Sequence, residues 1–186
     1  MDSDLTENGV SQAKAAGEAL KKVHFDIVFA SDLSRAKRTA EYIVAERKLV
    51  VNTTKLLRER RFGKYEGKPG KEYREENKEL FEKMEKMSEK EKRRVKFDIG
   101  YENEEDLAAR LLIFLREIAA TYLGKTVLAV SHGGAMRALL MHLGFASFDE
   151  LRGKSIENTA HIKLESDGVD FFIKETKGIN KQKVDK

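Results

Sequence analysis

The chain has no cysteine among its 186 residues, which excludes disulfides and thiolate metal sites and suits a reducing compartment, so the expected location is the cytoplasm. It has one proline, Pro69, and therefore one strong backbone break. No stretch approaches the roughly 20 consecutive apolar residues of a membrane span, so no membrane partner is expected. Neither sign of charge dominates: 36 basic residues face 32 acidic ones, for a net charge of +4. The two signs are interspersed, which describes a solvated surface and gives no nucleic-acid partner. Only KGINKQKVDK, residues 177–186, is one-sided. Internal repeats and low-complexity linkers are absent as well. The four histidines are scattered, so no metal site is expected.

What is present suits one α/β domain over 1–176, followed by a basic tail over 177–186. Apolar residues make up 40% of the chain and gather into periodic runs. Thr6 is a good N-cap, and Val10, Ala13, Ala16 and Leu20 follow at helical spacing. FDIVFAS at 25–31 reads as a buried strand. Ser31 or Asp32 can cap a second helix that runs to about Arg47, and Leu49 to Val51 is a short strand. The segment 70–100 is a charged helical insertion, with Tyr73, Leu80, Phe81, Met84 and Met87 as a thin apolar stripe on a surface helix. A helix is expected from about Asn103 to Tyr122, and TVLAVS at 126–131 is the strongest strand. HIKLES and VDFFIKE flank Asp167-Gly168, a two-residue hairpin turn. Strands alternating with helices predict a mainly parallel sheet flanked by helices on both faces.

Two segments share one construction, in which an apolar strand ends in a polar turn and a helix begins. They are VFASDLSRAKRTA at 28–40 and VLAVSHGGAMRALL at 127–140. Ligands of open α/β sheets bind beyond the carboxyl ends of strands, where helix N-termini offer unpaired N–H groups to an anion. Arg35, one turn into its helix, can fork two hydrogen bonds onto a phosphate. His132 stands at the other rim, and Gly133 and Gly134 let backbone approach a ligand. A third segment, LLRERRFGKYEG at 56–67, sets Glu59 among arginines. Beside a phosphate, a carboxyl group is a natural general acid for the leaving oxygen, and the phosphate charge favours its protonated form.

SDLSRAKRTA, LRERRFGKYEG and VSHGG, in this order, resemble the histidine phosphatase superfamily, whose fold is called phosphoglycerate-mutase-like. LTENGVSQAKAAGEAL resembles its first helix, and IENTAHIKL resembles its closing strand, so the likeness covers most of the chain. The resemblance implies that Arg35 clamps phosphate, that His132 stabilises the transferring phosphoryl group and that Glu59 donates the proton. Gly133 and Ser31 would help through backbone N–H or hydroxyl contacts, while Asn158 and Thr159 would have a structural role. It also implies a metal-independent phosphomonoesterase or phosphoglycerate-mutase-like enzyme without cofactor, acting on a small phosphorylated metabolite. FGKYEGK is closer to the phosphatase branch than to the mutases.

One departure matters. The family signature is a strand ending in Arg-His-Gly ahead of the first helix, and its histidine carries the phosphoryl group. The only His-Gly pair in this chain is His132-Gly133. The expectation is therefore that Met1 is an internal methionine and that catalysis through a phosphohistidine belongs to a longer parent. The alternative is a truncated pseudoenzyme that binds phosphate esters. The absent strand is expected between the strands ending at Ser31 and Ser131, leaving two unpaired sheet edges through which the chain would self-associate.

Overall fold

A computed structural model describes residues 2–153 and 155–184. Helix α1 (Glu7–Ala19) starts where Thr6 accepts a hydrogen bond from the Gly9 N–H, as its N-cap chemistry predicts. Strand β1 (Ile27–Ser31) leads into α2 (Ser34–Ile43) and then β2 (Val51–Thr54). Three short helices follow: α3 (Gly70–Glu76), α4 (Lys78–Glu85) and α5 (Glu89–Arg94). Then come α6 (Glu104–Thr121), β3 (Val127–Val130), α7 (Gly133–His142), β4 (Ile156–Ser166) and β5 (Phe171–Ile179).

The first sheet is parallel, in the order β2-β1-β3. Helices cover both of its faces. Val28 and Ala30 of β1 pack with Ala40 and Ile43 of α2 and with Ala16 and Leu20 of α1. Phe29 points the other way, against Phe114 of α6, with ring centroids 5.4 Å apart. This alternation follows from the period of two along a strand buried on both sides. Strands β4 and β5 form a separate antiparallel hairpin, but Ser166 pairs with Phe171, so its loop is Asp167 to Asp170 rather than the expected two-residue Asp167-Gly168 turn. The Asp167 carboxylate accepts the Val169 and Asp170 N–H groups and holds the wider loop. Thr159, at φ 58°, lies where the β4–β5 register shifts, which suits the structural role expected of it.

Several expectations change here. No strand lies between β1 and β3: Val28 pairs with Leu128 and Ala30 with Val130, so the two backbones satisfy one another directly. The break in the sheet falls instead between β3 and β4, each of which ends its own sheet. Helices span that break. Gln12 of α1 accepts a hydrogen bond from Asn158 of β4 at 3.1 Å, and the α6 cluster takes in both Phe29 and Ile162. Strand β5 runs to Ile179, into the segment read as a basic tail, because its residues pair with β4. The second strand begins at Val51 rather than at Leu49. Neither Ser31 nor Asp32 caps α2; Leu33 holds that position without a side-chain bond.

The charged insertion is not one surface helix. It folds back on itself because Tyr73 finds aromatic partners on several sides: Phe62, Tyr65, Phe81, Phe97 and Tyr101 all lie within 6.5 Å of it, centroid to centroid. Ring pairs of this kind add to the stabilisation from burial. The insertion is pinned to the loop after α7 by Lys92 on Asp149 at 2.6 Å and by the Phe148 N–H on Glu89 at 2.8 Å. No helix of the described residues is long and apolar enough to cross a membrane.

Candidate functional site

The two strand–turn–helix junctions end side by side, because β1 and β3 are parallel neighbours. Their helices, α2 and α7, therefore start on the same edge of the sheet. An α-helix leaves its first N–H groups without intrahelical acceptors and carries a partial positive charge there. In this structure protein carboxylates answer both helix ends. Asp2 accepts from the Ser34 N–H at 2.8 Å and from the Ser34 hydroxyl at 2.9 Å, and these bonds hold its carboxyl below the usual carboxylate range.

At α7 the carboxylate is that of Glu59. Its Oε2 accepts from the Gly134 N–H at 3.0 Å, and its Oε1 accepts from the Arg60 N–H at 2.7 Å. Glycine at 134 is required by this contact: a Cβ there would stand 2.5 Å from the Glu59 Oε1. The close approach foreseen for the two glycines is thus made at Gly134, and by the protein's own carboxylate. Gly133 is exposed and has ordinary space around it, with Ile156 at 3.9 Å.

His132 precedes α7 in extended conformation and is only 9% exposed. Its Nε2 is buried and has no hydrogen-bond partner among the described residues. Burial and the nearby cations Arg35 and Arg110 push its pKa down to about 4, against the smaller opposing effect of Asp2 and Asp32. The imidazole is neutral at pH 7. Arg35, half-buried in the first turn of α2, is thereby within electrostatic reach of His132. Glu59, Gly134, His132 and Arg35 form one locality. Ser31 is different: it is fully buried, and its hydroxyl accepts the Leu33 N–H at 3.3 Å, so its observed contact is to the turn.

Other partners carry no local sequence signal. Arg58 forks onto Asp32 at 2.6 and 2.7 Å, tying the acid-bearing loop to the β1–α2 turn. Arg60 is buried and donates to Glu104 at 2.5 Å, and Glu104 also faces Arg137 of α7 at 3.3 Å. The other histidines lie elsewhere: His24 faces Asp26, His142 ends α7 and His161 lies in β4. Among the described residues no group of three or more His, Asp and Glu is placed to hold a metal ion.

The model of the histidine phosphatase superfamily (branch 1) matches residues 1–177. The chain belongs to that superfamily. The chain is 37% identical over 169 residues to a 2,3-bisphosphoglycerate-dependent phosphoglycerate mutase of Methylocella silvestris, covering 83% of this chain and 74% of the relative. Among solved structures it is similar to Bacillus stearothermophilus YhfR, with a TM-score of 0.79 and 26% identity over 92% of this chain and 83% of that one. A mycobacterial glucosyl-3-phosphoglycerate phosphatase complexed with VO3 gives a TM-score of 0.78 and 26% identity, covering 96% and 88%. Mutases and phosphatases both occur among these relatives of the superfamily chain, so they leave the choice between those two reactions open.

The depressed pKa of His132 makes a pH prediction. Between pH 4 and 6.5 the unfolded histidine binds a proton and the folded one does not. Stability is therefore fully present above pH 6.5 and is lost as pH falls toward 4, by about 3 kcal/mol from this residue. Urea unfolding of the wild type and of His132→Gln across that range is expected to show a shallower pH slope in the variant. Parallel slopes would contradict the buried neutral imidazole.

Proposed function

We propose that this site handles phosphate monoesters, as a metal-independent phosphomonoesterase or mutase acting on a small phosphorylated metabolite in the cytoplasm. The observation that carries this is the Glu59 carboxyl held across the start of α7, next to a neutral buried His132 with an unpartnered Nε2 and within the same locality as Arg35. In this reading Arg35 and His132 receive the phosphoryl oxygens. A dianion arriving beside His132 draws a proton onto the imidazole, because a nearby negative charge favours its charged form. Its Nε2 then donates to a phosphoryl oxygen, where charge develops in the transition state. Glu59, when protonated, gives its proton to the leaving oxygen. Asp2, exposed on the start of α2, yields its place to ligand or stays as a neighbour to Arg35.

The sequence has no Arg-His-Gly, and His132 has the context of the second family histidine. The reading is therefore that the nucleophile is supplied by a segment outside these 186 residues, in a longer parent. A second reading, a phosphate-ester-binding pseudoenzyme, is favoured by the sequence, in which no His-Gly pair besides His132-Gly133 offers a nucleophile. Turnover of para-nitrophenyl phosphate in excess chelator separates the two. Activity is expected only in a form that carries an Arg-His-Gly strand, and Glu59→Gln should lower its kcat on the order of 100-fold. Activity abolished by the chelator would refute the metal-free mechanism. Inactivity of every form would favour the pseudoenzyme.

The break between β3 and β4 supports a further part of the reading, self-association. Each strand presents an unpaired edge, and Ala129 of the apolar strand β3 is exposed between part-buried neighbours. Such edges template pairing with another chain. Light scattering of the purified chain is expected to give a mass above the 21.2 kDa of the monomer, rising with concentration. A monodisperse monomer with a high Tm would count against it.

A further inference from the structure

The loop that carries Glu59 has little regular structure, yet its carboxylate must reach the Gly134 N–H. The backbone carbonyls of residues 55–59 show how it is held. Arg110, in the middle of α6, donates from Nη1 to the carbonyls of Leu56 at 2.8 Å, Arg58 at 3.0 Å and Lys55 at 3.4 Å, and from Nη2 to that of Glu59 at 3.4 Å. The remaining carbonyl, of Leu57, accepts from the Ser131 hydroxyl at 2.8 Å, next to His132. Every carbonyl from 55 to 59 thus has a partner on α6 or at the end of β3.

We propose that Arg110 is the positioning residue for Glu59, gathering the carbonyls of its loop onto one guanidinium so that the carboxylate lies across the start of α7. The fork is itself held in place. Nε and Nη2 of Arg110 each donate to Glu102 at 2.8 Å, and Glu102 is only 3% exposed. Burial alone would raise the Glu102 carboxyl, but Arg110 holds it below the usual range, so the pair stays charged. The planar guanidinium, with five N–H donors, can serve a carboxylate on one edge and carbonyls on the other; a lysine ammonium cannot. Without it, four carbonyls would converge with no cation between them, and the loop would open. Arg110 also bears on the second site residue, since its charge helps keep His132 unprotonated.

The importance of Arg110 for turnover rests on the proposed role of Glu59 as proton donor; its hold on the loop does not. The Gly134 N–H reports that hold, because at a helix start it has no intrahelical acceptor and its partner is Glu59. Hydrogen exchange of the full chain is measured by NMR for wild type, Arg110→Gln, Arg110→Lys and Ser131→Ala, with Ala30 of the central strand β1 as the core reference. Both Arg110 variants are expected to speed exchange at Gly134 roughly tenfold, the worth of one charge-assisted hydrogen bond, with Ala30 unchanged. Ser131→Ala, the milder change, should give a smaller increase at the same amide. The His132 ring should also titrate at higher pH in Arg110→Gln. Unchanged exchange at Gly134 would overturn the proposal, and so would equal acceleration at Gly134 and Ala30, which means general destabilisation. In a form that turns over para-nitrophenyl phosphate, Arg110→Gln should lower kcat roughly tenfold with KM little altered. A loosened Gly134 with unaltered kcat would overturn the proton-donor role of Glu59 and leave its positioning by Arg110 standing.

Discussion

A single carboxylate, that of Glu59, spans the gap between a loop and the first turn of α7, and the arrangement of the site depends on that contact. It satisfies the Gly134 N–H, which the helix itself cannot. It also requires glycine at 134, because any side chain there would displace it. The negative charge sits at the positive end of the helix, a placement that stabilises both. A hydrogen bond to a charged group of this kind contributes about 1.5–3 kcal/mol, enough to fix the loop's conformation but not enough to order it unaided. The remaining constraint comes from the carbonyl contacts to Arg110 and Ser131 and from the Asp32–Arg58 fork.

Around this contact the electrostatics are divided. Two helix starts, Arg35 and Arg110 bring positive charge to the site, and the carboxylates of Asp2, Glu59 and Glu102 answer it. The imidazole of His132 stays neutral chiefly because burial disfavours its charged form, and then because Arg35 and Arg110 lie near it. A phosphate dianion would reverse that balance. In the proposed reading the site would take up a proton together with its ligand, and the same physics makes His132 costly to protonate without one. The aromatic cluster around Tyr73 and the Lys92–Asp149 pair hold the insertion against the loop after α7, so the segment beside the acid is packed rather than trailing in solvent.

Much of this was legible in the sequence, for physical reasons that can be named. The strand–turn–helix junctions were readable because short continuous apolar runs, as in strands buried on both faces, give way to helical spacing within a few residues. The Thr6 cap and the place of the β4–β5 hairpin were readable because their chemistry is local, whereas the loop came out two residues longer than the Asp167-Gly168 turn. What escaped depends on residues far apart in the chain. Arg110 sits among ordinary helix positions, and its carbonyl partners lie some fifty residues away. Glu102 is eight residues before it, off the spacing at which helix neighbours meet. The pairing of β1 with β3 is also non-local, and strand patterns alone do not rank neighbours. The insertion was read as one helix because its apolar stripe is thin; the folding back depends on rings from 62 to 101 meeting in space.

In the proposed function, Glu59, His132 and Arg35 form one phosphate site. The most direct measurement is an NMR titration of the chain with inorganic phosphate, following the Gly134 amide and the His132 ring. Saturable shifts are expected at both positions, with a rise in the His132 pKa from about 4 and a loss of roughly tenfold or more in affinity in Arg35→Ala. Shifts confined to other residues, or a titration unaltered by Arg35→Ala, would contradict it.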